Sequence, residues 1–234
     1  MIISKDKYIL KNCVAHIVGC SVMGSGKIEN QDSIEIRQTN DSLIVVVADG
    51  LGSAAYSKEG SEKVVKIATD ILAQKCYENL SEKILSLWKE NLQGNINQYD
   101  TTIKFIQITN EKIIVGGVGD GWIALKNNND IKSFVVENSF SNQTDSILSI
   151  GLDKKFWIEE FDSKEYDTMI IATDGFSEDI NKEDTFEFLK QAENEIKEDI
   201  EIFATDLEET LSNWPVQTNR DDKTVVFVVL TKED

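Results

Sequence analysis

The sequence of 234 residues contains little proline, cysteine or histidine. With 1 proline and 13 glycines it cannot be a collagen-like chain, and no proline-rich or serine-rich linker divides it. A hydrophobic fraction of 41% beside 28% charged residues is typical of a folded globular protein and argues against disorder. Because one hydrophobic core can serve a chain of this length, we expect a single domain over residues 1–234.

The scarce cysteine and histidine residues limit the possible chemistry. Cys13, Cys20 and Cys76 cannot all pair, and no two of them have the C-x-x-C spacing of a zinc or redox site. We therefore expect reduced, buried thiols. The only histidine, His16, lies in an apolar strand-like segment, which favours a structural role over a catalytic one.

Positive charge is also scarce, since 24 Lys and Arg face 42 Asp and Glu and the net charge is −18. This balance disfavours nucleic acid and anionic membranes as partners. At the N-terminus, Lys5 and Lys7 precede an apolar stretch that Lys11, Asn12 and His16 interrupt. That stretch is too short for a signal-peptide core or a membrane span. We expect a cytoplasmic monomer.

Strand-like and helix-like segments are grouped and do not alternate regularly. Apolar residues at helical spacing predict helices at 64–72, 84–92 and 200–211. Runs of β-branched and alternating apolar residues predict strands over residues 34–37, 43–48, 103–105, 113–115, 122–125, 131–136, 169–172 and 224–230. This grouping predicts an α+β domain in which antiparallel sheet packs under helices.

Aspartates stand at the ends of three of these strands. Asp49 and Asp174 each follow an apolar run and precede a glycine, and Asp221 stands just before the last strand. If the strand ends converge, these carboxylates repel one another unless cations neutralise them, and Mg²⁺ and Mn²⁺ prefer such oxygen ligands. Gly50 and Gly175 would let backbone and ion come close. Each Asp-Gly taken alone is, however, also a common turn dipeptide.

Taken together, the sequence motifs around these aspartates resemble those of the metal-dependent protein Ser/Thr phosphatases of type 2C. The resemblance covers about residues 20 to 230 and rests on six short motifs that occur in the family's order: residues 30–33 (NQDS), 47–53 (VADGLGS), 101–102 (TT), 117–121 (GVGDG), 172–179 (ATDGFSED) and 221–226 (DDKTVV). It implies a four-layer α-β-β-α sandwich, in which two antiparallel sheets are flanked by helix pairs. It also implies a two-metal site at one end of the sheets.

Carried over position by position, the resemblance implies a ligand set for two Mn²⁺ or Mg²⁺ ions. Asp49 would bridge both ions, and Gly50 would offer its carbonyl to one of them. Asp174 and Asp221 would hold the other ion. Asp32 would orient metal-bound water from beside the ions.

Asp120 lies in the motif with which many microbial relatives hold a third, more weakly bound ion. The resemblance implies that Asp120 would hold this ion together with Asp174. The local pattern alone allows a plainer interpretation, because Asp120 and Gly121 lie between two strand-like segments and would form the tip of a hairpin.

Two positions depart from the family pattern. Lys27 stands where many relatives have an arginine that grips the substrate phosphate. A lysine pairs with phosphate as a point charge and lacks the two-pronged geometry of arginine. The alternative is a solvated loop residue. Leu51 replaces the histidine that animal members carry after Asp-Gly, so leaving-group protonation would fall to water.

The resemblance implies hydrolysis of phosphoserine and phosphothreonine in a phosphorylated protein partner, by a water that the two ions share and activate. Two alternatives stay open. One is a catalytically silent domain of the same fold that serves as a binding or regulatory module. The other is a metal-dependent hydrolase of small phosphoesters.

Overall fold

The computed structural model describes residues 2–10, 13–135, 145–151 and 156–232. Within these ranges the chain forms eleven strands and five α-helices. The strands are β1 (Ile2–Leu10), β2 (Cys13–Val22), β3 (Asp32–Gln38), β4 (Ser42–Asp49), β5 (Ile103–Thr109), β6 (Lys112–Val118), β7 (Trp122–Lys126), β8 (Ile131–Val135), β9 (Trp157–Asp162), β10 (Thr168–Ala172) and β11 (Lys223–Lys232). The helices are α1 (Ser57–Ala73), α2 (Leu80–Glu90), the single turn α3 (Asp174–Ser177), α4 (Thr185–Glu198) and α5 (Ile200–Ser212).

The strands form two antiparallel sheets. One has six strands in the order β1-β2-β11-β10-β7-β8, and the other has five in the order β3-β4-β5-β6-β9. Helices α1 and α2 pack on the outer face of the five-stranded sheet, and α4 and α5 pack on the outer face of the six-stranded sheet. The predicted α+β class and the four-layer sandwich are confirmed.

The uninterrupted apolar run of β4 follows from its position between two layers. Ile44 and Val46 point to α1 and α2, whereas Val45 and Val47 point into the space between the two sheets. Because successive side chains of a strand point to opposite faces, a strand covered on both faces is expected to be mostly apolar. The same packing holds the end of β4, at Asp49, at one edge of the sandwich.

The eight strands predicted from the sequence are all present, and the strand-like segment around His16 is β2, whereas β1 and β9 were not predicted. The last residue of one predicted strand, Val136, lies outside the described residues. Both missed strands lie at sheet edges. In β9 most side chains are partly or fully exposed, which leaves little apolar alternation to detect.

The hairpin interpretation of Asp120 is wrong. β6 pairs with β5 and β9, whereas β7 pairs with β10 and β8, so the turn at residues 119–121 crosses from one sheet to the other. Asp120 therefore lies at the junction of the two sheets.

None of the three cysteines forms a disulfide within the described residues, and Cys20 is buried as expected, whereas Cys13 and Cys76 are only half-buried. His16 lies in the middle of β2, where its Nε2 is 3.1 Å from the hydroxyl of Thr231. No helix in the described part of the chain combines the length and the hydrophobicity that crossing a bilayer would require.

Candidate metal centre

Two carboxylates begin the site at one end of the five-stranded sheet. Asp32 is the first residue of β3 and Asp49 is the last residue of β4, and the two are directly opposite each other in the antiparallel ladder. Side chains of directly opposed residues lie close on the same face of a sheet. The pairing register therefore places two carboxylates next to each other.

Thr101 and Thr102 fix the main chain of Asp49 through hydrogen bonds. The carbonyl of Asp49 accepts a hydrogen bond from the hydroxyl of Thr101 and one from the N–H of Thr102, both at 2.8 Å. The N–H of Asp49 donates to the hydroxyl of Thr102 at 3.0 Å. Since these bonds occupy the backbone groups, the carboxylate is left to face the other acids.

Carboxylates from both sheets meet at this edge. Asp174 begins α3, directly after β10 of the six-stranded sheet, and Asp120 comes from the turn that joins the sheets. Asp49, Asp120 and Asp174 each offer a carboxylate oxygen, and these oxygens lie within 4.8 Å of one another. This spacing fits a single cation held by oxygen ligands.

Mutual repulsion and burial disturb the titration of these acids. Burial, followed by the charges of Asp32 and Asp174, holds the pKa of Asp49 well above its usual range. Burial, followed by the charges of Asp120 and Asp221, raises the pKa of Asp174 to about 6. Carboxylates that resist ionisation together are the electrostatic signature of a site that a divalent ion would stabilise.

Asp32 is held from one side only. Its Oδ2 accepts a hydrogen bond of 2.8 Å from the hydroxyl of Thr173, and that hydroxyl also accepts a bond from the N–H of Thr224. The other oxygen, Oδ1, is buried and has no hydrogen-bond partner among the described residues. Burial raises the pKa of Asp32 to about 7. An unpartnered buried oxygen beside Asp49 suits a site that takes up water or a cation.

Lys27 and Asp221 form an ion pair, with 2.5 Å between Nζ and Oδ1. Nζ also lies 3.8 Å from Oδ2 of Asp222, and the lysine side chain is 28% exposed. Lys27 is therefore engaged with acids of the site and is not simply a solvated loop residue. The carboxylate of Asp221 pairs with this lysine and is not one of the three carboxylates grouped within 4.8 Å, although its charge acts on both Asp49 and Asp174.

Asp222 anchors the loop that carries Lys27, a role that sequence reasoning missed. Its Oδ1 accepts from the N–H of Gly24 and its Oδ2 accepts from the N–H of Gln31, both at 2.8 Å. Both ends of the β2–β3 loop are thus tied to one buried carboxylate. Asp179 accepts hydrogen bonds from the side chains of Trp214 and Asn219 and so has a structural role.

Gly50 and Gly175 are required by packing against backbone. A Cβ on Gly50 would lie 2.7 Å from the carbonyl oxygen of Ser57, and one on Gly175 would lie 2.0 Å from that of Asp222. Their small size was expected to admit an ion, but neighbouring main chain fills the space that a side chain would take. The close approach at Gly175 brings Asp174 beside the segment that carries Asp221.

A buried lysine behind the carboxylates was also missed. Lys104 of β5 is 2% exposed, and its Nζ donates a hydrogen bond of 2.7 Å to the carbonyl of Gly119. Burial lowers the pKa of Lys104 to about 8, against the opposing attraction of Asp120 and Asp174. The side chain is therefore mostly protonated at neutral pH. No local pattern marks it, because it occurs within a strand-like apolar run.

Comparisons with known proteins agree with this geometry. A family model described as protein phosphatase 2C matches residues 21–212. A comparison with curated protein sequences gives no significant match.

Several solved structures share the fold. RsbX in complex with magnesium is 20% identical, with a TM-score of 0.66 over 99% of this chain and 100% of that one. Stp1 from Staphylococcus aureus, a serine/threonine phosphatase, is 15% identical, with a TM-score of 0.69 over 97% and 100%. The catalytic domain of the serine/threonine protein phosphatase PstP, in complex with two manganese ions, is 15% identical, with a TM-score of 0.66 over 94% and 100%.

The predicted cofactors, Mn²⁺ or Mg²⁺, are the ions that two of these structures contain, and the grouped carboxylates fit such an ion. The family model covers most of the sequence, including the motifs that contain Asp32, Asp49, Asp120 and Asp174. This confirms, at the level of the family, the prediction of a metal-dependent protein Ser/Thr phosphatase. The chain belongs to the protein phosphatase 2C family.

Proposed function

We propose that this chain hydrolyses phosphoserine and phosphothreonine in proteins, with two Mn²⁺ or Mg²⁺ ions as cofactors. The observation that carries the proposal is the convergence of Asp49, Asp120 and Asp174 within 4.8 Å, in a domain of the protein phosphatase 2C family. When bound, the ions supply an activated water as nucleophile and positive charge for the phosphate.

The chain offers a ligand for each ion position. Asp49, at the end of β4, and the carbonyl of Gly50 would hold metal. Asp174 and Asp221 would also serve as ligands. Asp120, together with Asp174, would hold a further ion more weakly. Support comes from the raised pKa values of Asp49 and Asp174, because uncompensated carboxylates at this spacing gain most from a divalent cation.

Asp32 orients the attacking water. The hydroxyl of Thr173 occupies Oδ2 and fixes the carboxylate, so Oδ1 remains as a buried acceptor beside Asp49. A fixed acceptor at this place holds a water in one orientation without rearrangement during the reaction.

Lys27 binds the substrate phosphate as a point charge. Its present partner is the carboxylate of Asp221, and the anchored β2–β3 loop keeps the ammonium at the edge of the site. If Asp221 held a cation, its ion pair with Lys27 would be weaker, and the ammonium would be available to pair with the phosphate. The side chain of Leu51 has no proton to donate, so the leaving group takes its proton from water near Asp120.

A substrate comparison tests the proposed class of reaction. With Mn²⁺ present, we expect kcat/KM for a phosphothreonine peptide to exceed that for glycerol 3-phosphate. The opposite order would indicate a hydrolase of small phosphoesters. Binding of Mn²⁺ without hydrolysis of either substrate would indicate a silent module. Asp49→Asn, purified in parallel, controls for a contaminating phosphatase.

A further inference from the structure

A buried lysine directly supports the turn that carries Asp120. Lys104 reaches from β5, in the middle of the five-stranded sheet, to the carbonyl of Gly119, at 2.7 Å from its Nζ. The side chain is 2% exposed, so the ammonium lies in the protein interior behind the carboxylates.

The turn is shaped around this side chain. Gly119 and Gly121 have positive φ values of 103° and 89°, a conformation that favours glycine. A Cβ on Gly121 would lie 3.2 Å from Cε of Lys104. The backbone on both sides of Asp120 therefore packs closely against the end of the lysine.

Packing alone does not explain a lysine here. Its neighbours in β5, Ile103 and Phe105, point to the core under α1 and α2, so the buried side chain of Lys104 points to the opposite face, into the space between the two sheets. An ammonium at such a depth costs free energy unless it is hydrogen-bonded and near negative charge. Asp120 and Asp174 supply that charge, since both attract the ammonium of Lys104.

We propose that the ammonium of Lys104 serves as a permanent positive charge beside the turn that carries Asp120. Lys104 is a positioning residue: it holds the turn through Gly119 and partly neutralises Asp120 and Asp174 when no ion is bound there. Because its ammonium is positive, it also repels a divalent ion at these two carboxylates. The affinity for that ion is therefore lower than the affinity for the ions at Asp49. The inference rests on the proposed ion positions and is independent of catalytic turnover.

Calorimetric titration with Mn²⁺ tests this role. Lys104→Met removes the charge and keeps much of the volume, so we expect the weakest Mn²⁺ to bind at least about tenfold more tightly, since a repelling charge at short range is lost. We also expect a lower unfolding temperature in chelator and a larger recovery on adding Mn²⁺. Asp120→Asn in the same background should abolish the gain in affinity.

Lys126→Met is the matched control, because Lys126 is another buried lysine, 2% exposed, and pairs with Glu193 under α4 at 2.7 Å. It should lower the unfolding temperature and leave every Mn²⁺ affinity unchanged. If Lys104→Met misfolds, Lys104→Gln removes the charge, keeps an amide donor and carries the same expectation.

Unchanged or weaker binding of the weakest Mn²⁺ in a folded Lys104 variant would overturn the inference. Tighter binding in a protein that hydrolyses no phosphopeptide would uphold it and contradict only the proposed function.

Discussion

Asp32 and Asp49 are directly opposed across the β3–β4 ladder, so the sheet itself brings the buried carboxylate of Asp32 and the half-buried carboxylate of Asp49 together. Asp32 is fixed by the hydroxyl of Thr173, and the main chain of Asp49 is fixed by Thr101 and Thr102. The backbone thus maintains a repulsive arrangement before any ion binds. Preorganisation of this kind lets an incoming cation meet its ligands without a rearrangement of the fold.

Removal of one negative charge from the carboxylate cluster should raise the stability of the metal-free protein and lower its activity. We expect Asp49→Asn and Asp174→Asn each to abolish tight Mn²⁺ binding and to lower kcat/KM by on the order of a thousandfold or more, since metal ions supply several kcal/mol to such reactions. The metal-free variants should melt higher by about 2 to 4 °C for each kcal/mol of relieved repulsion. Asp130→Asn, on an exposed loop, is the control. Unchanged Mn²⁺ affinity in both variants would contradict their role as ligands.

The metal-free protein should lose stability as the pH rises. The pKa values of about 7 for Asp32 and about 6 for Asp174 lie above the unfolded value near 4. Between these limits the folded state binds more protons than the unfolded state, so the free energy of unfolding decreases with pH. We expect chelated protein to be more stable at pH 5 than at pH 8 by at least about 1 kcal/mol.

Denaturant unfolding at several pH values measures this slope. Asp32→Asn should flatten it, and saturating Mn²⁺ should reverse it, because the ions bind ionised carboxylates. A chelated wild-type protein whose stability increases from pH 5 to pH 8 would show that the acids are not strained.

Lys27 should act on substrate binding. We expect Lys27→Ala to raise KM for a phosphopeptide, because the phosphate loses a charged partner. Lys27→Arg should match or improve on wild type through bidentate contact. Steady-state kinetics with Lys190→Ala, an exposed lysine on α4, as the control decides the matter. Wild-type behaviour in both Lys27 variants would make the residue a bystander.

Asp120 should matter most for poor leaving groups. We expect Asp120→Ala to leave two tight Mn²⁺ ions bound and to reduce kcat more on a phosphothreonine peptide than on p-nitrophenyl phosphate, whose leaving group needs little protonation. Parallel kinetics and calorimetry test this. Equal losses on the two substrates would remove the proton-supplying role, and no loss on either would leave Asp120 with a structural role in its turn.

The buried strands and the aspartates that follow them, Asp49 and Asp174, were predictable from local pattern, whereas Asp120 entered only through the family resemblance. β4 and β10 are buried apolar runs that stop at an aspartate, and such a stop is visible in the sequence. The edge strand β9 was missed because most of its side chains are exposed, and the crossing between sheets at Asp120 was missed because β6 and β7 are close in sequence.

The electrostatic partners in the site could not be predicted in the same way. Asp222 bonds the N–H of Gly24 across 198 positions of sequence, and Lys27 meets Asp221 across a similar separation. In the sequence Lys104 looks like an ordinary strand residue. Its contact with the carbonyl of Gly119 forms only in the folded protein. Such contacts arise only when the two sheets are assembled, so sequence spacing carries no trace of them.

Hydrolysis of a phosphothreonine peptide, followed by phosphate release in Mn²⁺ and in excess chelator, tests the central claim most directly. We predict turnover in Mn²⁺ that chelator abolishes and that fresh Mn²⁺ restores, with no turnover by Asp49→Asn under either condition. Full activity of the wild-type protein in excess chelator would contradict the account.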